Sequence, residues 1–275
     1  MDLQGRIAVV TGGAQGIGQA TCLRLAQAGV RIAMLDLTEP GETRELLARA
    51  GADAWHAETD VADERSVTEA FSRLEDDWGT PAVLVNVAGV FADVAFLDTP
   101  VDVWERMMAV NARGVFLCSQ AAARRMARAG EGRIVNVLST ASFQGFALES
   151  AYCASKGAAL LLTKVMAIEL APLGIAVNAV APGTVRTAMG SAYLGDGPIA
   201  GHELQRTPLG RLGAPSDIAE AVAFLAGPAS WMAGEVVCVD GGFLAAGLPV
   251  LPEMEAITAA PAPAPAPAAS APGAR

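Results

Sequence analysis

Residues 7–18 read Ile7-Ala8-Val9-Val10-Thr11-Gly12-Gly13-Ala14-Gln15-Gly16-Ile17-Gly18, an apolar run ahead of a glycine-rich turn. A stretch of helical period follows from about Ile17 to Ala28 and makes this a strand–turn–helix unit. Glycines at Gly12, Gly16 and Gly18 permit a tight turn. They also let backbone N–H groups approach a pyrophosphate at a helix N-terminus. The spacing is GxxxGxG, and by itself it also suits a strand-to-helix turn that binds nothing.

The same alternation continues outward from this unit. Further strands are predicted near Arg31 to Leu35, Ala54 to Thr59, Ala82 to Val85, Arg133 to Leu138, Ile175 to Val180 and Val236 to Val239. Gly29, Gly51, Gly79 and Gly174 fall where helices should stop before the next strand. The pattern is that of a single α/β domain with a doubly wound, parallel, seven-stranded sheet, assigned to residues 1–247. Residues 248–275 are a C-terminal extension. From about residue 259 its Pro/Ala tract cannot form a helix ladder or bury bulky groups, so disorder is expected there. Leu248, Val250, Leu251, Met254 and Ile257 are left open as a docking arm toward a neighbouring subunit.

The chain has 275 residues, 52% of them hydrophobic, which excludes a disordered protein. Its net charge of −10 opposes nucleic-acid phosphates and anionic lipid surfaces, so neither is an expected partner. No apolar run is long enough to span a bilayer, and Met1-Asp2-Leu3-Gln4-Gly5 lacks a basic leader region, so a soluble cytoplasmic protein is expected. Cys22, Cys118, Cys153 and Cys238 are never spaced as CxxC, and His56 and His202 stand alone. Neither a disulfide framework nor a metal site is encoded.

Asp36 closes the second strand, where a carboxylate suits the ribose hydroxyls of an adenosine and repels a 2′-phosphate. Gln15, Leu37 and Thr38 offer that phosphate no cation. NAD is therefore expected as cofactor over NADP.

Downstream, Ser150-Ala151-Tyr152-Cys153-Ala154-Ser155-Lys156 opens a long helical segment that puts Tyr152 and Lys156 on one face. An ammonium beside a phenol favours the phenolate and brings tyrosine toward the range of a working acid/base. A lone YxxxK is more often an interfacial tyrosine with a snorkelling lysine. Here, of 19 basic residues only Lys156 and Lys164 are lysines, which singles out Lys156. Ser139 ends the apolar strand beginning at Arg133, at the carboxyl edge where open sheets bind ligands. A hydroxyl there can hold a carbonyl or alcohol oxygen opposite Tyr152.

Together these elements resemble the short-chain dehydrogenase/reductase family over about residues 5 to 245. The resemblance implies a Rossmann fold in which Gly12, Gln15, Gly16, Ile17, Gly18, Asp36, Asp60, Val61, Asn86, Ala88, Gly89, Pro182, Gly183, Val185 and Thr187 bind the dinucleotide along with Tyr152 and Lys156. The family's NNAG element reads Asn86-Val87-Ala88-Gly89, with Val87 in place of the second asparagine. The implied catalytic tetrad is Asn111, Ser139, Tyr152 and Lys156. Its implied reaction is reversible hydride transfer between a secondary alcohol or carbonyl and nicotinamide. In it Tyr152 exchanges the proton, Ser139 positions the oxygen, Lys156 lowers the Tyr pKa and binds the ribose, and Asn111 bends its helix and holds a water.

An NAD-dependent alcohol or polyol dehydrogenase is thus the favoured reading. An NADPH-dependent 3-oxoacyl-thioester reductase is the runner-up, opposed by Asp36, and a non-catalytic dinucleotide sensor has no use for the whole tetrad. Phe91, Ser139, Phe143, Phe146, Met189 and Tyr193 are expected to line the pocket for a small-molecule substrate, under a glycine-bearing lid after Thr187. The segments Val103 to Ala129 and Ser150 to Ala171 carry more apolar surface than one sheet covers. The resemblance implies that they form a dimer interface within a homotetramer.

Overall fold

The computed structural model describes residues 1–190, 203–227, 229 and 231–246. Tyr193, most of the expected lid and the C-terminal extension lie outside the described residues. Strands β1 (Ile7–Thr11), β2 (Arg31–Asp36), β3 (Ala54–Glu58), β4 (Val83–Asn86), β5 (Gly132–Val137), β6 (Ile175–Pro182) and β7 (Val236–Val239) form one sheet in the order β3-β2-β1-β4-β5-β6-β7. Every pairing is parallel. Parallel strands covered on both faces must be apolar on both sides, and β1 and β4 are buried at every position.

Helices α1 (Gly16–Ala26), α2 (Gly41–Arg49), α3 (Glu64–Asp77), α4 (Val101–Met108), α5 (Gly114–Ala129), α6 (Ser150–Leu170) and α7 (Pro215–Ala226) connect them. One core, with Val10, Leu25, Met34, Val135, Ile218 and Val222, lies between the sheet and the α1 and α7 face. The other, with Val9, Phe71, Leu74, Met126, Ile134 and Val177, lies under α3, α5 and α6.

Strand order reverses at β1, which pairs β2 on one side and β4 on the other, with Thr11 level with both Leu35 and Asn86. Open α/β sheets take ligands at the carboxyl edge beside such a reversal, and the cleft of this chain lies there.

Two expectations are adjusted by packing. The helical segment predicted from Val103 to Ala129 is interrupted by a π turn at Ala109–Arg113, which sets α4 off from α5. Strand β6 runs on to Pro182, whose pairing is with the edge strand β7 at Val239, a place where a missing N–H is tolerated. No helix among the described residues is long and apolar enough to cross a membrane.

Candidate active site

The turn after β1 is built by close backbone approach. Thr11 Oγ1 accepts from the N–H groups of Val87 and Ala88 at 3.0 and 3.1 Å, drawing the ends of β1 and β4 together. A Cβ on Gly12, whose φ is 69°, would fall 2.9 Å from the Ala88 backbone, and one on Gly18 would strike the Gly12 carbonyl oxygen. Glycine is required at both places for packing before any ligand is considered.

Helix α1 opens on this turn with no side-chain cap from Gln15 and no acid in its first turn. By contrast, α3 is capped by Asp63, which accepts from the Ser66 N–H at 2.7 Å. The first amides of α1 therefore keep their donors for an external anion, which is what a dinucleotide pyrophosphate needs. Beside them Asp36 accepts from the Ala14 N–H at 2.9 Å and from the Thr38 N–H at 3.0 Å.

At the other end of the cleft, Ser139 caps a short 3-10 turn at Thr140–Ser142, its Oγ accepting from the Ala141 N–H at 3.1 Å. The Tyr152 side chain hydrogen-bonds to Ser139. Lys156 Nζ lies 5.7 Å from the centre of the Tyr152 ring and donates to the Val137 carbonyl at 3.0 Å. The ring edge of Phe91 meets Tyr152 at 4.9 Å between centroids.

Burial dominates the electrostatics here. It pushes the Tyr152 phenol up to about 12, with the Ser139 hydrogen bond pulling the other way and Glu149 adding to the rise. It also pushes Lys156 down to about 8. The sequence led us to expect a lysine that lowers the tyrosine pKa. In the fold, desolvation sets the direction for both groups, raising Tyr152 and lowering Lys156.

Asn111 sits in the π turn and is buried behind this pair. Its Oδ1 accepts from the Val90 N–H and its Nδ2 donates to the Val90 carbonyl, each at 2.9 Å, and Nδ2 also donates to Ser155 Oγ at 3.0 Å. Gly89 separates Asn111 from Lys156: a Cβ there would fall 3.2 Å from Asn111 Oδ1 and 3.7 Å from Lys156 Nζ.

Residues 12–244 match the family model described as enoyl-(acyl carrier protein) reductase. A cis-4-hydroxycyclohexanecarboxylate dehydrogenase of Sinomonas cyclohexanicum is 40% identical over 246 residues, 87% of this chain and 97% of that protein. The solved structure of a putative short-chain alcohol dehydrogenase from Sinorhizobium meliloti superposes with a TM-score of 0.86 at 36% identity, covering 89% of this chain and 98% of that one. A putative 2-deoxy-D-gluconate 3-dehydrogenase from Agrobacterium tumefaciens with bound NADP gives 0.84 at 36% identity, with the same coverage. The chain belongs to the short-chain dehydrogenase/reductase family.

This short-chain dehydrogenase/reductase has a cleft of about 560 Å³, within the range of small-molecule sites. Ser139, Tyr152 and Lys156 line it, as do all the expected cofactor residues except Asn86, and Phe91, Phe146 and Met189 border it as expected. Asn86 and Phe143 are displaced from the expected site. The amide of Asn86 is turned inward and donates to Ser119 Oγ at 3.0 Å and Asn136 Oδ1 at 2.8 Å, while Asn136 in turn donates to Thr163 Oγ1 at 2.8 Å. Asn86 thus ties β4 to β5, α5 and α6. Phe143 is 48% exposed and outside the cleft wall, because the 3-10 turn after Ser139 carries it away. Asn111 also stands behind the wall. Two acids at the wall, Glu149 and Glu203, escaped the sequence reading. The available signal for Glu149 was a carboxylate three residues before Tyr152 in an otherwise apolar and small stretch.

Proposed function

We propose that the chain is an NAD-dependent dehydrogenase of secondary alcohols and polyols, reversible toward the matching carbonyl compound. The observation that carries this is the convergence of Ser139, Tyr152 and Lys156 on the cleft that begins at the uncapped start of α1. Bound nicotinamide supplies the hydride acceptor and, when oxidised, a positive charge that favours the phenolate of Tyr152. Tyr152 takes the hydroxyl proton of the alcohol as the hydride leaves carbon, and returns it in the reverse direction. Ser139 holds the substrate oxygen against Tyr152. Lys156, already drawn down to about 8, is poised to relay a proton from Tyr152 and to contact the nicotinamide ribose. Asn111 fixes the Val90 loop and the start of α6 behind them.

NAD is the favoured cofactor because Asp36 lies on the cleft after β2 and, among the described residues, accepts only from the Ala14 and Thr38 N–H groups and the Thr38 hydroxyl. A ribose diol can donate to such a carboxylate, and a 2′-phosphate would be repelled by it. NADP in the Agrobacterium structure makes this a test that matters. Assayed on a panel of secondary alcohols, polyols and sugars, NAD turnover should exceed NADP turnover by at least roughly tenfold in kcat/KM. Asp36→Ala should narrow that gap, chiefly by admitting NADP. Equal use of the two cofactors by the wild-type enzyme would remove Asp36 from this role.

The second reading, an NADPH-dependent 3-oxoacyl-thioester reductase, shares only the acyl-carrier substrate with the family model's description, which names an enoyl reductase. Asp36 on the cleft opposes a phosphorylated cofactor, and the net charge of −10 opposes an acidic carrier.

The same reading assigns residues 1–247 to one catalytic domain and makes the enzyme a homotetramer. On α6, the faces of Ala151, Ser155, Ala159 and Thr163 are buried on the chain's own sheet, while Leu161, Val165 and Ile168 stay exposed on the other side. A second copy's α5 and α6 are the partners we assign to that stripe.

A further inference from the structure

Glu149 touches the cleft, yet nothing in the proton-transfer scheme uses it. It immediately precedes α6, three residues before Tyr152, and the chain reaches it through Leu148, a non-glycine residue held at a φ of 70°. The Val94 N–H donates to the Leu148 carbonyl at 2.8 Å and locks this corner against the loop after β4. The result is a carboxylate only 6% exposed, at the cleft wall beside Tyr152.

Among the described residues its carboxylate accepts no hydrogen bond and pairs with no cation. The charges that act on it are those of Asp93 and Glu203, both acidic. Glu203 is also 6% exposed, and its carboxylate accepts from Thr184 Oγ1 at 2.8 Å. The nearby cation Lys156 donates to Val137, and Arg206 is stacked over Phe243 at 4.2 Å. A carboxylate at the cleft wall without a protein donor among the described residues can accept from a group entering the cleft. A negative charge on that group is disfavoured by Glu203 at the same wall and by the nearby Asp93, while Arg106 is a cation on the cleft lining.

Resting on the dehydrogenase reading above, we propose that Glu149 specifies the substrate: it accepts a hydrogen bond from a second hydroxyl of an uncharged diol or polyol whose carbinol oxygen is held by Ser139 and Tyr152. With Asp93 and Glu203 it turns away alcohols that carry a carboxylate. Phe91, Phe146 and Met189 cover the carbon skeleton of the same molecule.

The test compares vicinal cyclohexanediol, cyclohexanol and hydroxycyclohexanecarboxylate, each with saturating NAD and again with NADP. Wild-type kcat/KM should be highest for the diol, by about tenfold over cyclohexanol, with the hydroxy acid poorest. Glu149→Gln should cut the diol-to-cyclohexanol ratio about tenfold and raise turnover of the hydroxy acid. Glu149→Asp, which keeps the charge, should still reject the acid. Opposed movements of this kind cannot come from a general loss of structure, and the wild-type ranking decides the matter even if the glutamine variant misfolds. A wild-type enzyme that oxidises the hydroxy acid as well as the diol, or a Glu149→Gln variant that changes all three by one factor, overturns this assignment and leaves the dehydrogenase reading standing. Failure to oxidise any of the three, or any other alcohol, overturns both.

Discussion

Glu149 and Lys156 are both drawn toward neutrality by burial, one upward to about 7 and the other downward to about 8. For Glu149 the cause is desolvation first, then Asp93 and Glu203. The folded chain therefore holds a proton that the unfolded chain has already released between the ordinary glutamate range and about 7. Stability attributable to this residue must fall as pH rises through that window. Unfolding by urea should show Glu149→Gln matching the wild type near pH ~5 and exceeding it by about 1 kcal/mol near pH ~8, less than the full shift because cleft water screens the carboxyl. A difference that is the same at both pH values would show that Glu149 does not titrate in this window. At this scale the sequence was an uneven guide. Tyr152, Lys156, Ser139 and Asp36 were legible because their spacing on a helix or at a strand end fixes where they point. Asn86 and Asn111 were legible as residues but not as contacts, since their partners Asn136 and Ser155 come from distant parts of the chain. The value of Glu149 depends on a carboxylate lacking partners, and spacing does not report that.

The elements behind the site were read correctly where a local rule set them. A β-branched run followed by glycines gives β1 and the turn into α1, and helix stops at glycines such as Gly174, with a φ of 77°, space the strands. The π turn at Ala109–Arg113 was anticipated only as a bend at Asn111, because its geometry comes from side-chain bonds across to the Val90 loop and α6. Asn111→Ala would leave the Val90 N–H and carbonyl and the Ser155 hydroxyl without their present partner. We expect a loss of about 3 kcal/mol in unfolding free energy, together with a fall in kcat larger than any rise in the KM for NAD. Unchanged stability and turnover would reduce the π turn to a packing detail.

For the whole molecule, one seven-stranded sheet brings loops from β1, β2, β4, β5 and β6 to a common edge, and the cleft forms there because strand order reverses at β1. The face of α6 away from that sheet has Ile168 at 76% exposure, next to Leu161 at 63%. Ile168→Glu should shift the mass seen by light scattering from a multiple of the chain toward 28.0 kDa. A wild-type enzyme already at that mass would end the assembly proposal while leaving the chemistry intact. That chemistry rests on Tyr152, and the most direct measurement follows NADH formation from an oxidisable secondary alcohol by the wild type and by Tyr152→Phe, with NADH affinity measured on both. The account predicts that the variant folds, binds NADH within a few-fold of the wild type and loses on the order of a thousandfold in kcat. Near-wild-type turnover by Tyr152→Phe would contradict it.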